Sequence, residues 1–141
     1  MNYKRLFLAA IASFISYFAL GTLFFAVFGR DAYRPYAAIY RPMPEIQRFL
    51  PLGMAATLVA LFVLAVMYAK GYEGGGRLAE GFRFGILVAV FFDCVFVVHN
   101  YVNLNIGLQL TLQQAVAYFF EWLIACIIIG LVYKPAPNVS R

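Results

Sequence analysis

Residues 6–28 read LFLAAIASFISYFALGTLFFAVF, an apolar stretch of 23 residues without a charged side chain. A helix needs about 20 apolar residues to cross the roughly 30 Å hydrocarbon core of a bilayer. The preceding Lys4 and Arg5 resemble the basic start of a signal peptide, but the apolar region of a signal peptide is only about 7–15 residues long. We therefore predict a retained transmembrane helix.

Three further apolar stretches, over residues 49–69, 82–102 and 109–133, have similar lengths. Each must be helical, because backbone polar groups in hydrocarbon have to be bonded within their own segment. Pro51 would lie near the start of the second helix, where a missing amide proton costs little. The prediction is an all-α chain with a single polytopic membrane domain over residues 1–141, a four-transmembrane-helix bundle with antiparallel up-down topology.

The composition excludes several classes of protein. Hydrophobic residues make up 65% and charged residues 12% of the 141 residues, whereas soluble domains are about half apolar and a quarter charged. A soluble enzyme and a disordered chain are therefore excluded. Cys94 and Cys126 both lie in apolar stretches and do not form a disulfide framework. The net charge of +5 is not gathered into a phosphate-binding stripe, so we expect membrane lipids, and no nucleic acid, as partners.

The distribution of Lys and Arg predicts the orientation. One side of the membrane would carry seven of these residues and the other side four, and short loops richer in Lys and Arg remain cytoplasmic. We therefore expect a multi-pass protein of the bacterial inner (plasma) membrane with both termini inside. The seven are Lys4, Arg5, Lys70, Arg77, Arg83, Lys134 and Arg141, and the four are Arg30, Arg34, Arg41 and Arg48.

Two acids, Asp93 and Glu121, lie near the midpoints of the third and fourth stretches. An ionisable group at this depth costs about 2.5–3.5 kcal/mol on insertion scales and is a functional candidate by default. At 100° per residue, Gln114 and Tyr118 share the face of Glu121, and Asn100 aligns with Asp93. If the two helix faces meet, we expect the carboxyls to share a proton or a hydrogen bond. The alternative is that these polar side chains only hold helices together.

Small residues spaced four apart predict where helices approach closely. Two such pairs lie on the first helix and two on the second: Ala9 with Ser13, Ala12 with Ser16, Gly53 with Thr57, and Ala56 with Ala60.

His99 is the only histidine and lies near the end of the third stretch. It is a possible cofactor ligand, for haem or a pigment, although a membrane haem of the b type usually needs a second axial imidazole, which a homodimer would have to supply. The ordinary interpretation is a hydrogen-bonded histidine at the membrane interface. One histidine and two separate thiols do not form a metal-ligand cluster, and no nucleophile–base set is evident. We expect no enzyme, no metal and no resident cofactor.

The segment between the first two stretches combines tyrosine and arginine. Two interpretations are open: an interfacial segment with tyrosines at headgroup level, or a surface that docks a partner, since Tyr and Arg often anchor protein interfaces. The candidate docking residues are Tyr33, Arg34, Tyr36, Tyr40 and Arg41.

The chain contains three motifs rich in glycine and aromatic residues: GTLFFAVFG over 21–29, EGFRFG over 80–85 and GLVYKP over 130–135. In these motifs the chain resembles a bacterial family of small four-span membrane proteins of unknown function. The resemblance implies a four-helix membrane fold and a membrane location, and it implies no catalytic residues.

The functional prediction is a non-enzymatic integral membrane protein, a structural or accessory subunit of a membrane assembly or a homo-oligomer that contacts other membrane subunits or itself. The first alternative is a small proton-coupled transporter or channel that uses Asp93 and Glu121. The second is a haem- or pigment-associated subunit that uses His99.

Overall fold

The structure, a computed structural model, describes residues 2–133. Every regular element in that range is helical. The predicted roles of Lys134 and Arg141 in orientation, and the last two residues of the motif over 130–135, lie outside the described residues.

Four helical stretches are long and apolar enough to cross a membrane. They run over Tyr3–Gly29, Met43–Lys70, Arg77–Asn103 and Leu108–Val132. The first three contain the stretches predicted from sequence, and the fourth ends one residue before the predicted boundary. These helices indicate a multi-pass membrane protein.

Two of the four stretches contain a π-helical segment. Helix α1 (Tyr3–Phe24) continues into a π-helical segment, Phe25–Gly29, then into the short α2 (Arg30–Tyr33) and a 3-10 turn, Arg34–Tyr36. Helix α3 is Met43–Lys70. Helix α4 (Arg77–Phe92) continues through the π-helical segment Asp93–Val97 into α5 (Val98–Asn103), and α6 is Leu108–Val132.

Helix α3 begins six residues earlier than the sequence predicted, directly after Pro42. Proline has a backbone angle that suits the first turn of a helix, and Pro44 occupies such a position. Pro51 consequently lies inside α3 rather than in its first turn. The expectation that Pro51 lies near the start of this helix was wrong, because Pro42 and Pro44 already provide an earlier start.

Helix α6 occupies the centre of the bundle and contacts α1, α3 and α4. One buried cluster joins Leu6 and Ala9 of α1 with Tyr68 of α3 and Ile129 of α6. A second cluster is built from Leu61, Ala89, Trp122 and Ala125. The buried face of α6 includes two of the predicted polar residues, Gln114 and Glu121, together with Thr111 and Ala125.

Glycines allow α4 and α6 to approach closely. A Cβ atom added at Gly85 would lie 2.9 Å from the carbonyl oxygen of Leu123, and one added at Gly130 would lie 2.6 Å from that of Arg77. No side chain fits at either position without moving backbone. This contact follows the small-residue rule for membrane helices, at glycines outside the small-residue pairs predicted on the first two helices.

One of the predicted small-residue pairs on α1 packs against a neighbouring helix, whereas one on α3 does not. On α1, Ala9 and Ser13 are buried, and the Ser13 hydroxyl donates to the carbonyl oxygen of Ala125 at 2.8 Å. On α3, a Cβ at Gly53 would meet no atom within 4 Å, and the Thr57 hydroxyl donates to the Gly53 carbonyl of its own helix. The packing role predicted for Gly53 and Thr57 is therefore wrong.

Candidate functional site

A cavity of about 630 Å³ lies between α1 and α6, and α2 and the first half of α3 complete its wall. This volume is within the range of about 300–1,000 Å³ that is typical of small-molecule sites. Most of the lining is aromatic or aliphatic, with a few polar groups. The lining residues are Tyr17, Phe18, Gly21, Thr22, Phe24, Phe25, Phe28, Gly29, Ala32, Tyr33, Met43, Leu50, Leu110, Gln113, Gln114, Ala117, Tyr118 and Glu121.

The carboxyl group of Glu121 forms the acidic part of this cavity. Its side chain is buried, and it faces Gly21 of α1, where an added Cβ would lie 3.3 Å from its Oε1 atom. The missing side chain at Gly21 therefore leaves room for the acid. The Tyr17 hydroxyl lies beside the same carboxyl group, one turn of α1 before Gly21.

A polar contact between α6 and the segment after α1 lies beside the cavity, since Gln114 and Tyr33 are lining residues. The amide nitrogen of Gln114 donates to the hydroxyl of Tyr33 at 3.0 Å and to that of Tyr40 at 3.2 Å. The two tyrosine rings pack edge to face with centroids 5.0 Å apart. Burial raises the pKa of the Tyr33 phenol above its ordinary value. We call Gln114, Tyr33 and Tyr40 the amide–tyrosine latch.

The candidate docking segment contacts the rest of the chain through its tyrosines. The Tyr36 hydroxyl accepts a hydrogen bond from the Gly107 amide at 2.9 Å, directly before α6. Arg34 and Arg41 are exposed, and Arg41 forms an exposed ion pair with Glu45 at 3.2 Å. The tyrosines of the segment thus serve contacts within the chain, and Arg41 pairs with Glu45 and lies over the Phe49 ring.

Asp93 lies away from this site. It begins the π-helical segment after α4, and its Oδ1 atom is buried without a hydrogen-bond partner. Asp93 is not among the described residues that line the cavity, and no hydrogen bond joins it to Glu121. The two acids are not brought together because the face of α6 that carries Glu121 is turned toward Gly21 on α1.

The other predicted residues on this helical stretch also lie outside the cavity. Asn100 is half-buried and His99 is exposed, both on α5. Within residues 2–133, no three His, Cys, Asp or Glu side chains are close enough to hold a metal ion.

Tyr118 connects the cavity to the α4 side of the bundle. Its ring packs against Phe92 and Phe96 with centroids 5.3 and 5.7 Å away, and it also lines the cavity. Of the five predicted intramembrane residues, the structure brings three to one site: Gln114, Tyr118 and Glu121.

Comparisons with family models, curated proteins and solved structures give no match.

Tyr17, Gly21 and Gln113 are among the site residues that were not predicted. Tyr17 and Gly21 are four residues apart on α1 and so share one face. This spacing of a polar aromatic residue and a glycine was the available signal in the sequence. Gln113 carried no such signal, because its position beside Gln114 places it about 100° away on the helix.

A smaller cavity of about 270 Å³ adjoins the first one at its α2 end. Phe28, Ala32, Leu110 and Gln113 line both cavities, while Asp31 and Tyr36 line only the smaller one. The larger cavity is an apolar chamber whose described lining includes one acid, two amides and three phenols. These groups can bind and orient a guest molecule through hydrogen bonds and charge.

Proposed function

We propose that this protein is a non-enzymatic integral membrane protein that binds a lipophilic small molecule within the bilayer, as an accessory component of a larger membrane assembly or of a homo-oligomer. The observation that carries the proposal is the 630 Å³ cavity between α1 and α6. Its lining has the composition of a ligand site, since hydrophobic walls surround a few convergent polar groups.

The rim of the cavity supports entry of the guest from the lipid phase. Phe25, Phe28, Met43 and Leu50 line the cavity and are also exposed at the surface. In a membrane, such apolar side chains would border acyl chains. A molecule already dissolved in the bilayer would then reach the acid without crossing the water phase.

The proposal includes an antiparallel up-down bundle in the bacterial inner membrane with both termini inside. Two sets of contacts support the up-down arrangement, and the excess of Lys and Arg described above supports the orientation. Tyr36, which follows the first span, bonds to Gly107, which precedes the fourth. At the other end, Leu6 near the start of α1 shares a buried cluster with Tyr68 near the end of α3 and Tyr133 directly after α6.

Binding of a neutral probe tests the proposal directly. The protein is placed in nanodiscs of phosphatidylcholine, and an uncharged, environment-sensitive fluorophore is titrated into them. We expect saturable binding that Ala117→Phe abolishes, because Ala117 lines the cavity and a benzyl group would occupy it. The matched control is Ala115→Phe, a half-buried alanine of the same helix outside the described lining.

Two results would contradict the binding proposal: fluorescence that rises without saturation, as for simple partitioning into lipid, or equal binding by wild type and Ala117→Phe.

The accessory role is tested separately by extraction in mild detergent. We expect the chain to migrate with other subunits or with copies of itself on a native gel, and migration as a lone monomer would oppose this role.

A second candidate function is proton-coupled transport, and the position of Glu121 favours it. The acid lines the larger cavity, and the smaller cavity extends from there toward α2. Asp93 has no part in this version because it lies outside the described lining. Proton-coupled transport can be tested with liposomes that contain a pH-sensitive dye. We expect proton-linked uptake of a lipophilic substrate to disappear in Glu121→Gln. Uptake that this substitution does not change would exclude proton-coupled transport through Glu121.

The haem or pigment alternative at His99 stays a proposal of lower rank. His99 is exposed on α5 and is not among the described residues of either cavity. An optical spectrum of the purified protein tests it, since a bound haem or pigment absorbs visible light.

A further inference from the structure

We infer that the cavity selects a lipophilic organic cation, a molecule with an amine or ammonium head and an apolar body. The inference rests on the proposed function, because it names the class of guest for the same cavity. It is carried by the position of one acid among aromatic rings and by two buried oxygen atoms that have no hydrogen-bond partner.

The first argument is charge. Glu121 is the only acidic side chain among the described lining residues, and no Lys or Arg is among them. It is 4% exposed, so water cannot reach it freely. A charge in such an environment is costly unless a counter-ion accompanies it. A guest with a positive head supplies that counter-ion, whereas a carboxylate guest would be repelled.

The second argument is the aromatic character of the walls. Tyr17 and Tyr118 flank Glu121, and Phe18 lines the same part of the cavity. The faces of aromatic rings attract cations, and ammonium groups in particular are bound in aromatic cages. A ring set of this kind beside a carboxyl group favours an organic cation over a small hydrated metal ion, which prefers several oxygen ligands.

The third argument comes from unpaired acceptors. The Oε1 atoms of Gln113 and Gln114 are buried and have no hydrogen-bond partner. Both residues line the cavity, and Gln114 is 6% exposed. A buried acceptor without a donor costs about 1–3 kcal/mol, so a guest that brings N–H groups gains affinity here. A primary ammonium head should therefore bind more tightly than a quaternary one.

The apolar part of the cavity accommodates the body of the guest. Phe24, Phe25, Phe28 and Leu50 line the wall away from the acid. A single alkyl chain or a small ring system fits a volume of about 630 Å³.

The experiment compares four guests of equal chain length: dodecylammonium, dodecyltrimethylammonium, dodecanol and dodecanoate. Each competes with the uncharged fluorophore in phosphatidylcholine nanodiscs, and the signal from Ala117→Phe is subtracted to remove partitioning into lipid. We expect the primary ammonium to bind roughly tenfold or more tightly than the alcohol. The quaternary ammonium should fall between them, and the carboxylate should bind most weakly.

Two variants identify the side chain that causes the cation preference. In Glu121→Gln we expect the preference for dodecylammonium over dodecanol to fall several-fold, with the uncharged fluorophore still bound. Asp93→Asn is the matched control, because it changes an acid to an amide within a span but outside the described cavity; it should keep the cation preference.

Equal affinity for the ammonium and the carboxylate, or an unchanged cation preference in Glu121→Gln, would overturn the inference. If Glu121→Gln does not fold, the order of the four affinities in the wild-type protein tests the cation selectivity by itself. Failure of the uncharged fluorophore to bind would count against the proposed function, whereas its binding without any cation preference would count only against this inference.

Discussion

The side-chain amide of Gln114 donates to the hydroxyl of Tyr33 at 3.0 Å, across 81 positions of sequence. Tyr40 shares the same amide nitrogen at 3.2 Å. This contact holds the segment after α1 against α6 beside the cavity, together with the hydrogen bond from the Gly107 amide to the Tyr36 hydroxyl.

Replacing Tyr33 by Phe should loosen the segment that contains α2. The change removes one acceptor of the Gln114 amide, and a hydrogen bond of this kind is worth about 1 kcal/mol. We expect backbone amides between residues 30 and 42 to exchange with deuterium several-fold faster. Tyr101→Phe is the control, because Tyr101 is exposed on α5. Exchange that is unchanged in Tyr33→Phe would show that the latch does not hold the segment.

The latch should weaken in alkaline solution. Burial raises the pKa of Tyr33 above the ordinary tyrosine value of about 10. The phenol of the opened segment loses its proton first, so the stability contributed by Tyr33 is fully present below about pH 10 and decreases as the pH rises further. The tyrosinate absorbance that is lost in Tyr33→Phe should titrate with a midpoint above 10. A midpoint at or below 10 would contradict the burial of this hydroxyl.

Gly85→Ala should destabilise the bundle, whereas Gly53→Ala should not. A Cβ at Gly85 would lie 2.9 Å from the Leu123 carbonyl oxygen, but one at Gly53 would meet no atom within 4 Å. Overpacking of this kind costs about 1–3 kcal/mol, while alanine is the better helix former at an unobstructed position. Thermal unfolding in detergent measures both changes. A similar loss of stability in both variants would argue against close packing of α4 on α6.

Ser13→Ala should cost more stability than Ser16→Ala. The Ser13 hydroxyl donates to the Ala125 carbonyl at 2.8 Å, whereas the Ser16 hydroxyl is buried without a partner. Hydrogen bonds between membrane helices contribute about 0.6 kcal/mol on average, with a maximum near 1.7. Unfolding in a denaturing detergent should separate the two variants by an amount in that range. No loss in Ser13→Ala would mean that this hydrogen bond does not stabilise the packing of α1 on α6.

The four apolar stretches were predictable because their signal is long, simple and local. A run of more than twenty residues without charge has few structural outcomes, and the first of them, over residues 6–28, lies entirely within the helical stretch Tyr3–Gly29. Helix ends were less predictable: α3 begins at Met43, because a proline pair decides a helix start more strongly than the onset of hydrophobicity does.

The site was predictable only in part, for a physical reason. Residues on one helix can be aligned by angle, and this placed Gln114, Tyr118 and Glu121 on one face, where the cavity lies. Which helix that face meets is a tertiary property. Nothing in the spacing of residues indicates that Glu121 faces Gly21 rather than Asp93, or that Tyr33 reaches Gln114.

The π-helical segment Asp93–Val97, in which the Val98 amide bonds to the Asp93 carbonyl, carries a genetic consequence. Such a segment is equivalent to an α-helix with one inserted residue. Deleting one residue there would restore the regular ladder and leave His99 on the same side of the helix, because the wider turn already absorbs the extra residue. A single-codon deletion within this segment would therefore preserve the faces of α5, whereas the same deletion in the regular part of α4 would turn the following residues by about 100°.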